Sequence, residues 1–105
     1  MDQPDAIIHQ PVRLKIMAAL KVLPPDDALE FVRLKTIVGA TEGNLGAHIA
    51  TLEAATYVEV EKDFVGRKPR TRVRLSKSGR RAFEDYVAYL RDIIDAGTAA
   101  PDTSP

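Results

Sequence analysis

The side chains with the most chemistry to offer crowd one stretch: Lys62, Arg67, Lys68, Arg70, Arg72, Arg74, Lys77, Arg80 and Arg81, against the single acid Asp63. The rest of the chain holds fourteen acids and six bases, so the formal charge of the whole is zero. A cationic block inside a neutral chain suits a polyanion. Guanidinium and ammonium groups pair with phosphate oxygens, while an acidic remainder repels the same anion from other surfaces. A solvated, charged hairpin would show the same composition, and charge alone does not separate the two readings. Other chemistries have little to work with. The absence of cysteine removes thiol catalysis, disulfides and Cys-based zinc sites. His9 and His48 have no clustered partner, so no metal site is expected. "VGATEGNLG" lacks the lysine and the preceding strand of a phosphate cradle. No catalytic residue, no cofactor and no enzymatic activity are therefore expected.

The elements that must position the basic block follow from periodicity. In "VEVEKDFV", Val58, Val60, Lys62 and Phe64 share one face and Glu59, Glu61, Asp63 and Val65 the other. "GRKPR" turns the chain, and "TRVRLS" returns with Val73 and Leu75 inward and Arg72 and Arg74 outward. The pattern predicts a two-stranded hairpin with a mobile basic tip made sharp by Gly66 and stiffened by Pro69. Before it, Pro11 suits a first helical turn, and Val12, Ile16, Ala19, Leu20 and Leu23 predict a helix over about residues 11–23, stopped by "LPPDD". A short helix over about 32–38 ends at Gly39. Thr41 caps a third over about 42–55, whose Leu45, Ile49 and Leu52 form a buried stripe. Ser76 caps the last, about 77–95.

These elements describe one small domain over residues 11–95, preceded by a lead-in over 1–10 and followed by a disordered tail over 96–105. The fold class is mainly α with a small β-hairpin, α+β. No run approaches the roughly 18 apolar residues of a membrane span, and "MDQPDAIIHQ" is acidic where a secretory leader is basic. A cytoplasmic protein without a membrane partner is expected.

The order helix, short helix, turn, helix, basic hairpin, helix is carried by "HQPVRLKIMAAL" and "FVRLKTIVGATEGNLGAHIATLEAATYVEVEKDFVGRKPRTRVRLSKSGRRAFEDY". It resembles the winged helix-turn-helix transcriptional regulators of the MarR/ArsR-like group over roughly residues 9–94. The resemblance implies a three-helix core, a wing and a C-terminal dimerisation helix. It also implies sequence-specific binding of double-stranded DNA by a homodimer acting as a repressor. The third helix then becomes the reading helix, with Thr41, Asn44, Ala47, His48 and Thr51 facing the duplex. Asn44 could pair bidentately with adenine, and Thr41 and Thr51 could reach phosphates or a thymine methyl. No Arg or Lys lies between 42 and 55, which removes the usual partner of guanine. His48 suits a phosphate or base donor and equally a surface histidine without a role. Gly43 and Gly46 cost helix propensity; close approach to DNA is one reason, and tight packing on the second helix is the expectation for Gly46. In the wing, Arg67, Lys68 and Arg70 are expected on phosphates or in a narrow minor groove, with Arg72 and Arg74 extending the track.

Two departures from the group stand out. Thr56 occupies a position where glycine usually follows the reading helix, and Gly46 stands where a small hydroxyl residue is common. Finally, the last helix bears two apolar seams, Ala82, Tyr86, Tyr89, Ile93 and Phe83, Val87, Leu90, Ile94, and the first helix adds Leu14 and Met17. So short a chain has little core left to cover both seams, which implies a partner. The resemblance makes that partner a second copy, meeting through Leu14, Met17, Tyr86, Tyr89, Leu90, Ile93 and Ile94. A winged module gripping an acidic protein is the alternative. A small-molecule effector between the first and last helices stays open.

Overall fold

The structure, a computed structural model, describes residues 5–99. Helix α1 (Pro11–Lys21) starts where expected, with Gln10 Oε1 accepting the Arg13 N–H at 2.9 Å and Pro11 in the first turn. It ends two residues early, because Pro24 and Pro25 pull the chain out of the helix before Leu23 can close a last turn. Helix α2 (Phe31–Val38) ends on Gly39 at φ 74°, ψ 35°, the left-handed stop that glycine makes without steric cost. Helix α3 (Glu42–Ala54) is capped by Thr41, whose hydroxyl oxygen accepts the Asn44 N–H at 3.2 Å.

The sheet corrects the expectation of two strands. β2 (Val58–Val65) and β3 (Lys68–Leu75) form the hairpin, and a third strand, β1 (Ala28–Glu30), pairs antiparallel with β3 to give the order β1-β3-β2. Its register sets Ala28, Leu29 and Glu30 opposite Arg74, Val73 and Arg72. Three residues are too few to show alternation, which is why the sequence pattern assigns no strand to "ALE". The third strand matters mechanically, since an isolated hairpin is marginal in water.

α3 leaves through a left-handed residue, Thr56 at φ 66°. The Thr56 N–H donates to Glu53 O and the Tyr57 N–H to Leu52 O, both at 2.9 Å, so the helix closes in the manner that normally selects glycine. The strain of a β-branched residue there, about 1 kcal/mol or more, is held in place by two serines. The hydroxyls of Ser76 and Ser78 both donate to Thr56 O, at 2.6 and 2.8 Å. Ser76 also caps α4 (Lys77–Ala99), accepting the Gly79 N–H at 2.9 Å. A Cβ on Gly79 would sit 1.9 Å from Tyr57 O, so only glycine lets the first turn of α4 lie on this corner. α4 continues through residues 96–99, which were expected in the tail. Gly97 weakens a helix by only about 1 kcal/mol, and the first proline is Pro101. Residues 100–105 of the expected tail lie outside the described residues.

The core gathers Ile16, Met17 and Leu20 from α1, Leu34 and Val38 from α2, the Leu45–Ile49–Leu52 stripe of α3, Val58, Val73 and Leu75 from the sheet, and Tyr86 from α4. The lead-in joins it: Ile8 is fully buried. Asp5 holds this segment in place, accepting from the Ile7 N–H at 2.8 Å and from the Tyr57 hydroxyl at 2.6 Å. Burial first, then the Asp5 carboxylate, push the Tyr57 phenol up to about 12. His9 Nδ1 meets the Tyr86 hydroxyl at 2.7 Å with the rings edge to face.

Two of the expected interface residues are thereby reassigned. Met17 is fully buried and Tyr86 is 4 % exposed, so both belong to the core of the single chain. Spacing could not separate them from their neighbours, because the 23-residue α4 packs along only part of its length and α1 buries Met17 together with Ile16 and Leu20. Leu14, Tyr89 and Leu90 are half-buried against the core. Beyond Leu90, residues 91–97 are all exposed, Ile93 at 52 % and Ile94 at 63 % among them.

Candidate nucleic-acid interface

α3 turns its buried stripe inward and leaves Gly43, Asn44, Ala47 and Ala50 exposed. A Cβ added at Gly43 or at Gly46 would meet open space. Packing on α2 therefore does not explain Gly46, which instead borders an open groove of about 620 Å³ between α3 and the hairpin, with Ala50, Val60 and Lys62. A helix that forgoes side chains on its outer surface without an internal reason is slim, and slimness is what a groove-entering helix needs. The sequence-predicted polar residues differ in what they have left to offer. Thr41 Oγ1 accepts from the Asn44 N–H, so its own O–H stays available to donate. The Thr51 hydroxyl donates to Ala47 O at 3.2 Å, which leaves it an acceptor. The Asn44 side-chain amide has no partner among the described residues and is exposed. His48 is half-buried and its Nδ1 lies 3.1 Å from Arg13 Nη1, so it is tied to α1 rather than standing free on the surface.

The hairpin divides into a shaft and a tip. Antiparallel register puts Glu59 opposite Arg74, Glu61 opposite Arg72 and Asp63 opposite Arg70. Arg70 forks onto Asp63 with bonds of 2.9 and 2.7 Å; Arg72 Nη2 lies 3.1 Å from Glu61 and 3.3 Å from Asp63. Arg74 reaches Glu61 at 2.7 Å and the Asp26 carbonyl oxygen at 2.9 Å. The Arg70 hydrogen bonds hold the Asp63 carboxyl below the usual carboxylate range, against a smaller opposing push from desolvation. Asp63 raises the Arg70 guanidinium in return. The expected basic track along Arg70, Arg72 and Arg74 is thus neutralised within the sheet. The acids that do this, Glu59 and Glu61, lie just before the basic block in sequence, and only the pairing register brings them across.

At the tip the situation reverses. Gly66, at φ 63°, and Arg67 join the strands, with glycine in the first of two turn positions as tight hairpins favour. Arg67 and Lys68 are exposed, and neither meets a carboxylate among the described residues. Lys62, on the same strand face as Val58 and Val60, is the cation the expected site omits. Alternation alone places it there, in the groove beside α3. The groove joins α3 to the hairpin at Val60, Lys62 and Thr71, with Glu42 and Glu53 on its helix side, and the cationic tip ends the same hairpin. Among the described residues no helix is long and apolar enough to cross a membrane, and no cluster of His, Asp or Glu could hold a metal ion.

Comparison with known proteins agrees with this geometry. An uncharacterized protein of Methanocaldococcus jannaschii is 35 % identical over 81 residues, covering 77 % of this chain and 85 % of that protein. The structure of a transcriptional regulator homologue from Pyrococcus horikoshii OT3 matches with a TM-score of 0.77 and 32 % identity over 86 % of each chain. A PadR family transcriptional regulator from Eggerthella lenta gives a TM-score of 0.69 at 18 % identity over 93 % of this chain and 90 % of that one. A MarR family regulator from Silicibacter pomeroyi gives 0.65 at 21 %, over 91 % and 60 %. At those last two identities the likeness is one of fold. The family model for a winged helix DNA-binding domain matches residues 12–94, and the chain belongs to that family.

Proposed function

We propose that this protein is a homodimeric, sequence-specific regulator of transcription that binds double-stranded DNA and represses by occupying its site. The observation that carries the reading is a cationic tip, Arg67 and Lys68, without a carboxylate partner among the described residues, on the hairpin that shares a groove with an α3 whose Gly43 and Gly46 face open space. α3 enters the major groove, where Asn44 reads adenine and Thr41 donates to a phosphate; Lys62 and the tip take phosphates or the adjacent minor groove. The solved Pyrococcus horikoshii OT3 relative, described as a transcriptional regulator homologue, supports a role in transcription regulation.

The dimer rests on the outer end of α4. Leu90 and Ile94 continue the seam of Phe83 and Val87 past the edge of the body, beside an open groove lined by Phe83, Val87 and Ala88 together with Lys21, Arg91 and the acids Glu84, Asp92 and Asp95. A second α4 fills that groove, and a two-fold axis presents two α3 helices to one pseudo-palindromic site. Pairing of Arg70, Arg72 and Arg74 within the shaft leaves an acidic protein partner little beyond Lys62 and the tip to grip, which favours DNA over the protein-binding alternative.

Selection of bound sequences from random duplexes, with the mass in solution measured alongside, tests this. The expected result is an enriched inverted repeat, half-sites about one helical turn apart, and a dimeric mass. No enrichment with a monomeric mass would overturn it.

A further inference from the structure

Arg13 links three parts of the molecule. Its backbone N–H is fixed by Gln10 at the start of α1, its Nε donates to the Ile7 carbonyl oxygen at 2.6 Å, and its Nη1 lies 3.1 Å from His48 Nδ1 on α3. A guanidinium has donors only, so in this contact His48 Nδ1 is the acceptor and the ring proton resides on Nε2. His48 stands one helical turn after Asn44 and one before Thr51, at the margin of the exposed face of α3.

We infer that Arg13 is a positioning residue for DNA reading, holding His48 as an Nε2–H donor toward an acceptor on the duplex. Phosphate oxygens, purine N7 and guanine O6 are all acceptors, and donors on this face of α3 are scarce. The helix has no Lys or Arg, and the Thr51 hydroxyl proton points at Ala47 O. Only the Asn44 amide, the Thr41 hydroxyl and His48 Nε2–H remain among the named residues. Without Arg13 the ring samples both tautomers and both flips, and in the wrong ones a lone pair would meet an acceptor lone pair. The Ile7 bond keeps the guanidinium from following the ring, so the orientation is imposed from outside α3. This inference rests on the DNA-binding reading, and deepens it by naming a residue outside both the reading helix and the wing.

The test is a cycle on the full chain against its selected duplex. Arg13→Met is expected to weaken binding by roughly three- to tenfold, the range of one hydrogen bond. His48→Gln, whose amide nitrogen can still donate, retains most affinity, and His48→Ala loses it. In the His48→Gln background, Arg13→Met costs nothing further. Nitrogen-15 spectra of the free protein supply a readout that a merely structural role would not move: one fixed Nε2–H tautomer for His48, becoming a mixture in Arg13→Met. Arg13→Lys, which keeps the charge but not the two-armed fork, carries the same cycle if Arg13→Met does not fold. Equal losses in both backgrounds, unchanged affinity, or an Nδ1–H tautomer in the wild type would overturn the inference while leaving DNA binding intact. A wild-type chain that binds no duplex would overturn both.

Discussion

The shaft and the tip of the hairpin are built from the same residue types and behave in opposite ways. In the shaft, Arg70, Arg72 and Arg74 lie across the ladder from Asp63, Glu61 and Glu59, and their charge is absorbed into the sheet. At the tip, Arg67 and Lys68 fall on and next to a two-residue turn, where no strand faces them with an acid. Charge counted along a sequence is therefore not charge presented at a surface; the pairing register decides which cations a polyanion meets. Arg72 stays part-exposed, yet its Nε is buried and has no hydrogen-bond partner among the described residues.

Five variants break or sharpen that contrast. The largest effect is expected from Gly79→Ala, which forces a methyl into Tyr57 O at the corner where β2 begins. A loss of about 3 kcal/mol or more in denaturant unfolding is expected, with shaft and tip loosened together. Next, Arg67→Ala with Lys68→Ala should leave stability within about 0.5 kcal/mol of wild type while lowering duplex affinity about tenfold or more at low salt. Unchanged affinity would place the DNA contacts elsewhere.

Glu61→Gln does the reverse. It frees Arg72 and Arg74 from one shared partner, and a stability loss of about 1 kcal/mol is expected for these part-exposed pairs. It should also raise non-specific duplex binding, converting shaft into tip. The Asp63–Arg70 pair adds a pH signature. Asp63 is held below its usual range when folded, so the native state binds this proton less readily than the unfolded chain. Its stabilisation is complete above the ordinary Asp range and is lost as pH falls through the lowered value; Asp63→Asn should flatten that acid limb of the melting temperature. The smallest effect is Thr56→Gly, which relieves left-handed strain but loosens the unfolded chain. A net gain of about 0.5 kcal/mol is expected by thermal unfolding.

Much of the fold was legible from residue order. Thr41, Ser76 and Gly39 stand at helix ends because their side chains, or the lack of one, satisfy groups that a helix leaves unpaired, and such local chemistry shows in sequence. The strand alternation was legible for the same reason. What escaped depends on distance along the chain. β1 pairs residues 28–30 with 72–74, too short a segment to carry a period. The neutralised arginines and the burial of Met17 and Tyr86 depend on which faces meet in three dimensions. Arg13 was hidden likewise, since nothing in "PVRLK" announces a contact with a histidine 35 residues away. Lys62 was within reach: its place in the alternation puts it on the α3 side of the wing.

The salt dependence of duplex binding, measured in parallel for the wild type, the Arg67→Ala/Lys68→Ala variant and Arg72→Ala, tests the division between tip and shaft most directly. The plot of log affinity against log salt should lose about 0.9 in slope for each tip cation removed per site and keep its wild-type slope in Arg72→Ala. Equal slopes in the wild type and the tip variant, or a slope that falls only with Arg72, would contradict it.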